Sequence, residues 1–296
     1  MWTDPLIDER SEDRKAVFQR KLTNLKEEGR LLEIYRFIHR HRPGKPVRLR
    51  RTVCGSYNAV FCLEYTDGAA ILRVALPRVN PFAEEKVRIE VATLRYIERM
   101  TSIPVPHVYH WGTADESPLG VGPFIIMDYI PHKCSLADVL ADPSVKDSGN
   151  RHLDPNVPRD KLERVYQQVA RIMLELSRLE MSRIGSLVYD ENRDAFTVGS
   201  RPLTQDMNEL VVQGGVPPCV LPPEQTTYTS SQEWYEVLAN LHIAHLTYSS
   251  VYRQLGLHEC KRHRYHCAGP WMTTSPAPVR LHPRQAKGLS NVPSTR

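Results

Sequence analysis

At 296 residues, with 41% apolar and 25% charged side chains, the chain is long enough for two lobes with sizeable cores and has an ordinary globular balance. Its net charge of +5 belongs to one end: seven of the 39 basic residues and none of the 34 acidic ones follow Cys260, which leaves 32 basic against 34 acidic side chains before it. The body therefore presents no basic face for specific nucleic-acid binding, and no apolar run approaches the roughly 18 residues of a membrane span.

MWTDPLIDERSEDRK carries no apolar core of a signal peptide, and six cysteines without a CxxC pair read as reduced thiols, so the expected location is the cytoplasm. Ser11 to Glu28 and Arg30 to Arg42 are predicted helices, with an apolar stripe of Leu32, Tyr35, Phe37 and Ile38 in the second and Pro43-Gly44 ending it. Val47 to Val53 begins a sheet. Gly55 then turns the chain into Tyr57 to Tyr65, Asp67-Gly68 signals a hairpin, and Ala69 to Ala75 is an apolar strand holding one charge, Arg73. A lone cation in such a strand needs a counter-charge. The helix predicted from Ala83 to Arg99 supplies one, because Glu90 lies between Val87 and Leu94 on the face that meets the sheet.

Pro104 and Pro106 break that helix before a strand at His107 to Gly112, and a nearly continuous apolar strand, Pro123 to Ile130, completes a five-stranded, mostly antiparallel sheet. Ser135 is placed to cap a short helix, SLADVL, and residues 141 to 160 read as an exposed loop. The second half reads as helical. Asp160 to Met181 aligns Leu162, Val165, Val169, Ile172, Met173 and Leu176; a strand pair follows near Gly185 to Tyr189 and Ala195 to Val198. Residues 211 to 228 form a Pro/Gly-rich connection, and Ser230 to Leu255 is a long helix with Trp234, Tyr235, Leu238, Leu241 and Leu246 as its core side.

The ordered segments GSYNAVF, ILRV, EKVRIEVATLRYI, SIPVPHVYHWG and LGVGPFIIMDYI, followed by VGSRPLTQDMNEL and SSQEWYEVLANLHIAHL, resemble the aminoglycoside-phosphotransferase family, closest to its fungal branch, from about residue 45 to 255. The resemblance implies an α+β, bilobal, protein-kinase-like fold. Its amino-terminal lobe would be a five-stranded antiparallel sheet with one inserted helix, followed by a partial, mainly helical carboxy-terminal lobe. The implied division is 1–44 amino-terminal helices, 45–131 nucleotide-binding lobe with hinge, 132–257 partial helical lobe and 258–296 disordered basic tail. The family activity is ATP-dependent phosphoryl transfer to a hydroxyl of a small molecule, an acceptor these residues do not name.

By the same resemblance Gly55, Ser56, Tyr57 and Asn58 form the loop over the ATP phosphates, Val60 packs on the adenine, and Arg73 takes the place of the strand lysine that grips the phosphates, with Glu90 as its helix partner. Met127, Asp128, Tyr129 and Ile130 form the hinge whose backbone meets the adenine edge. Two departures qualify the match. Arginine replaces lysine at 73, a planar fork with a different reach. Asp206 is the last aspartate, so the catalytic aspartate, its downstream asparagine and the Mg²⁺-holding aspartate of the family have no counterparts in these residues, and Mg²⁺ is not an expected ligand. The one H-x-D, His152-Leu153-Asp154, lies in the polar loop before the second-half helices and has Arg159 where an asparagine would follow. Without a base or metal site, turnover is not expected.

From His258 onward the composition departs from the family, which suggests an ending altered by reading frame or splicing; His258, Cys260, His263, His266 and Cys267 match no common structural zinc spacing. The second functional reading is a non-catalytic, pseudokinase-like nucleotide-binding or protein-interaction module.

Overall fold

Alternating small, β-branched and aromatic residues in the chain from Asn58 to Ala75 build a hairpin that runs through the middle of the main sheet. In the computed structural model, β3 (Asn58–Tyr65) and β4 (Gly68–Ala75) pair antiparallel along their full length, Asn58 facing Ala75 and Tyr65 facing Gly68. The turn residues are thus Thr66 and Asp67, with Gly68 at φ +148° opening the next strand. The structure describes residues 16–17, 19–20, 22–24, 29–50, 52–55, 57–76, 81–143, 152–212 and 214–248. Ser56, most of the first predicted helix, the far end of the last one and residues 258–296 lie outside this set, and with them the tail and its His/Cys cluster.

The sheet order is β1-β3-β4-β6-β5, all antiparallel, with β1 Pro46–Leu49, β5 Val108–Gly112 and β6 Phe124–Asp128. The predicted edge strand, Val47 to Val53, is divided. β1 pairs with the end of β3, and the two-residue β2 (Val53–Cys54) pairs with its beginning. One helix, α2 (Ala83–Met100), is inserted between β4 and β5.

Pleating separates two apolar faces. Ala59, Phe61, Leu63, Leu72, Val74, Phe124 and Ile126 point to α1 (Leu31–His41), whose Ile34, Tyr35 and Ile38 are buried against them. Leu32, assigned to that stripe from the sequence, is 51% exposed, and Ile34 takes its place because a turn of 3.6 residues sets 34, 35 and 38 on one side. The opposite sheet face, with Ile125 and Met127, packs on Val87 and Val91 of α2.

The second half begins with a four-residue helix, α3 (Leu136–Val139), whose predicted Ser135 cap forms a capping box with Asp138. Next come α4 (Arg159–Ser177), the hairpin β7 (Ser186–Asp190) with β8 (Ala195–Ser200), α5 (Gln205–Val212) and α6 (Ser231–Tyr248). Helix α5 lies between the predicted strand pair and the predicted connection, in a stretch to which no element was assigned from the sequence, and overlaps the connection only at Val211 and Val212. Its Met207 and Leu210 bury with Val216, Leu221 and Leu241 to make the core of this half. On α6 only Leu241 is fully buried while Trp234 packs beside it; Tyr235 and Leu246, expected inside, are exposed. The architecture is mixed helix and sheet around one main antiparallel sheet. No helix among the described residues is long and apolar enough to cross a membrane.

Candidate functional site

Arg73 stands in the middle of β4, with Val60 of β3 on one side of the ladder and Ile125 of β6 on the other. Paired positions in an antiparallel sheet share a face, so all three point toward α2. From that helix Glu90 reaches down, and its Oε1 lies 2.5 Å from Arg73 Nη2, with side-chain exposures of 30% and 22%. The expected counter-charge is therefore in place. A planar guanidinium has five N–H donors and this contact uses one, which leaves donors for a second anion on the same face.

Gly55, Tyr57 and Asn58 form the tight connection from β2 into β3, closed by the Gly55 N–H donating to Asn58 O at 2.8 Å. The Leu76 N–H donates to Tyr57 O at 2.8 Å, which ties the turn to the far end of β4. Gly55 itself does not occupy the left-handed region, and an added Cβ would meet only Asn58 O at 3.6 Å. Its use is an uncluttered backbone rather than a special dihedral. Tyr57 is 55% exposed.

Met127 to Ile130 straddle the end of β6. Met127 is buried in the sheet, the Asp128 N–H donates to His107 O at 3.0 Å, and the Tyr129 N–H donates to Ala69 O at 2.9 Å. The Asp128 and Tyr129 amides are thus already used, and Met127 lies within the ladder opposite Ile71. Ile130, 54% exposed, is the first residue past the ladder, and among the described residues its N–H has no partner. The Asp128 carboxylate accepts from Tyr109 Oη at 2.6 Å, and this bond, after burial, holds the Tyr109 phenol above its ordinary pKa. Arg50 lies over the Tyr129 ring at 4.8 Å. Since Asn58 faces Ala75 and Asp128 faces Ala70, turn and hinge lie at opposite ends of β4, about 17 Å apart at the usual strand rise, with Arg73 between them.

No family model matches the chain, and no solved structure matches it. Curated fungal proteins are similar over part of it. Altered inheritance of mitochondria protein 9, mitochondrial, from Zygosaccharomyces rouxii is 26% identical over 155 residues, covering 51% of this chain and 24% of that protein. The protein of the same name from Debaryomyces hansenii is 23% identical over 164 residues, 54% of this chain and 24% of its own. A subtelomeric hrmA-associated cluster protein of Aspergillus fumigatus is 31% identical over 77 residues, 26% and 15% of the two chains. The matches span a quarter or less of the relatives' length. Their names describe organelle inheritance and a gene cluster, not a reaction.

Among the described residues the most enclosed ion pair lies elsewhere and was not read from the sequence. Arg201, just after β8, donates to both oxygens of Glu85 on α2, Nε to Oε1 at 2.9 Å and Nη2 to Oε2 at 2.7 Å, with both side chains at least nine-tenths buried. Its Nη1 donates to Pro222 O at 2.6 Å. The two residues are 116 apart in the chain, so no local pattern links them. The one available signal was the acid at the start of α2, which reads equally well as a helix-end charge.

Open cavities of ≈ 430 and ≈ 470 Å³ lie along α4 (Lys161, Arg164, Gln168) and at the start of α2 (Phe82, Glu85, Arg88, Arg201, Glu224); neither is lined by the residues assigned to a nucleotide. In the H-x-D segment His152 and Leu153 are exposed, Leu153 bridges Ala141, and half-buried Asp154 accepts the Asn156 N–H on Oδ1 at 2.8 Å.

Proposed function

We propose that this chain is a kinase-like, aminoglycoside-phosphotransferase-like protein whose first half binds ATP, with Gly55 to Asn58 over the phosphates, Arg73 on them and Ile130 at the adenine edge. The observation that carries the reading is the Arg73–Glu90 pair at 2.5 Å in the centre of an antiparallel sheet with one inserted helix. Supporting it, the turn and the end of β6 flank that pair by a separation of the order of an extended nucleoside triphosphate. The bilobal arrangement of the family is part of the proposal.

Arg73 offers further N–H donors to a phosphate. The nearby carboxylates have protein partners, Glu90 in Arg73 and Asp128 in Tyr109. Bound ATP would supply an activated phosphoryl group. What these residues do is hold and orient the nucleotide. The second reading, a binding module without turnover, is favoured by the position of the last aspartate: Asp206 is on the exposed first turn of α5. The small-molecule acceptor stays unnamed, no nucleic-acid or membrane partner is proposed, and the proposed location is the cytoplasm. Fractionation with mitochondria, where the names of two relatives place them, would replace that location.

Thermal unfolding against ATP concentration is the test. Stabilisation should follow RT ln(1 + [L]/Kd), about 2.7 kcal/mol at a hundred times Kd. Arg73→Ala should weaken ATP binding at least about tenfold, the worth of a charge-assisted hydrogen bond, while Arg73→Lys keeps the response. A folded wild-type chain that shows no shift at millimolar ATP overturns the reading.

A further inference from the structure

Helix α2 is held along two different stripes. One stripe, Val87, Val91 and Leu94, packs on the sheet, and Glu90 beside it holds Arg73. The other runs Glu85, Arg88, Ala92, Arg95 and Tyr96, and Arg99, spaced by three or four residues, and faces the second half. Arg201 grips Glu85. Arg88 pairs with Glu224 at 2.7 Å, Arg95 lies over Tyr189 at 5.7 Å, Tyr96 meets Phe196 edge-on at 5.3 Å, and Arg99 reaches Asp194 at 2.9 Å. Ala92, 2% exposed, gives the helix the small surface that lets it lie close.

Among these contacts Arg201–Glu85 is distinct in being enclosed and directional. Most of the others are partly exposed, and exposed pairs contribute little. The Arg201 guanidinium is fixed by three hydrogen bonds and by the Phe82 ring 4.9 Å beneath it, so it has a single orientation. A bidentate fork onto a carboxylate fixes the rotation of the helix that carries the carboxylate, not only its distance. A buried pair of this kind is poor evidence for stability, because an apolar replacement of the same volume is often as stable; a role in selecting one arrangement is the better account.

We infer that Arg201 and Glu85 are positioning residues: they set the rotation of α2, and through it place the Glu90 carboxylate on Arg73. The consequence for ATP rests on the function proposed above; the effect on the Arg73–Glu90 pair does not. The hairpin β7–β8 and the segment after it thereby act on the sheet from the opposite side of α2.

The experiment is a thermodynamic cycle. Glu85→Met/Arg201→Met removes both charges at similar volume, and Arg201→Lys, which keeps the charge but loses the fork, provides a second background if the first does not fold. Glu90→Gln is introduced into the wild type and into each background, and urea unfolding is measured. The expected result is that Glu90→Gln raises the unfolding equilibrium constant several-fold in the wild type and by less than about twofold once the fork is lost, a coupling of the size seen between linked networks. Equal factors in all backgrounds overturn the inference. ATP titration of the same proteins is the second readout. If the wild type binds, Kd should rise about tenfold in Glu85→Met/Arg201→Met, and an unchanged Kd overturns the positioning role at the site. If the wild type does not bind, the nucleotide reading falls and the cycle alone decides the coupling.

Discussion

The Tyr65 ring lies 4.1 Å beneath the Arg42 guanidinium, which itself bonds Asp67 at 2.8 Å, yet the enclosed Tyr65 hydroxyl has no hydrogen-bond partner among the described residues. Burial pushes the Tyr65 pKa up to about 12, so the group stays neutral and its desolvation goes uncompensated. Tyr65→Phe should therefore leave stability unchanged or raise it by up to about 1 kcal/mol, since the ring and its cation contact remain. Urea unfolding checks this. A loss of more than about 1 kcal/mol would mean the hydroxyl has a partner. At this scale the Arg73–Glu90 pair was legible in the sequence, because an unpaired charge in an apolar strand predicts its own partner on the covering helix. Arg201–Glu85 was not, since each residue has an adequate local explanation and only the fold brings them together.

Between elements, α1 and β5 meet through two imidazoles. The His41 and His110 rings are stacked with centroids 3.8 Å apart and planes 2° from parallel. Burial lowers both pKa values from the ordinary range; at His41 the His110 ring and then Arg40 lower it further, whereas at His110 Glu116 opposes the shift and Arg95 adds to it less strongly. A histidine whose folded pKa lies below its unfolded value stabilises the fold fully above about 6.5, and that stability is lost as pH falls through the folded value. Stability should thus decline from pH 7 to pH 5. His41→Phe, which keeps a stacked ring but removes one titration and the mutual repulsion, should cut that decline roughly in half. Denaturation midpoints at the two pH values decide it, and identical slopes for the two proteins would remove the pair from the account. Element positions themselves were largely legible: hairpin, inserted helix and Ser135 cap follow from turn chemistry and periodicity. The break in the first edge strand and helix α5 were not, because segments of two to eight residues are too short to show a period.

Across the molecule, the two halves bury very different amounts. Helix α4 has the apolar spacing expected from its sequence, yet no residue of it is buried; Tyr166 and Met173 are 67% and 64% exposed. Lysine at either position should change stability by no more than about 0.5 kcal/mol, whereas Leu241→Ala, in the small core shared by α5 and α6, should cost about 2–5 kcal/mol. Urea unfolding of the three variants tests the contrast. A cost above about 1 kcal/mol at Met173 would show that the α4 face is covered in solution. The amino-acid sequence by itself determined the central hairpin, the inserted helix and the charge that needed an answer, since these depend on neighbours within a few residues. Only the tertiary structure decided which apolar stripes are inside and which acid meets Arg201. Periodicity states that a face is apolar, but burial and long-range pairing depend on what the rest of the chain places against it.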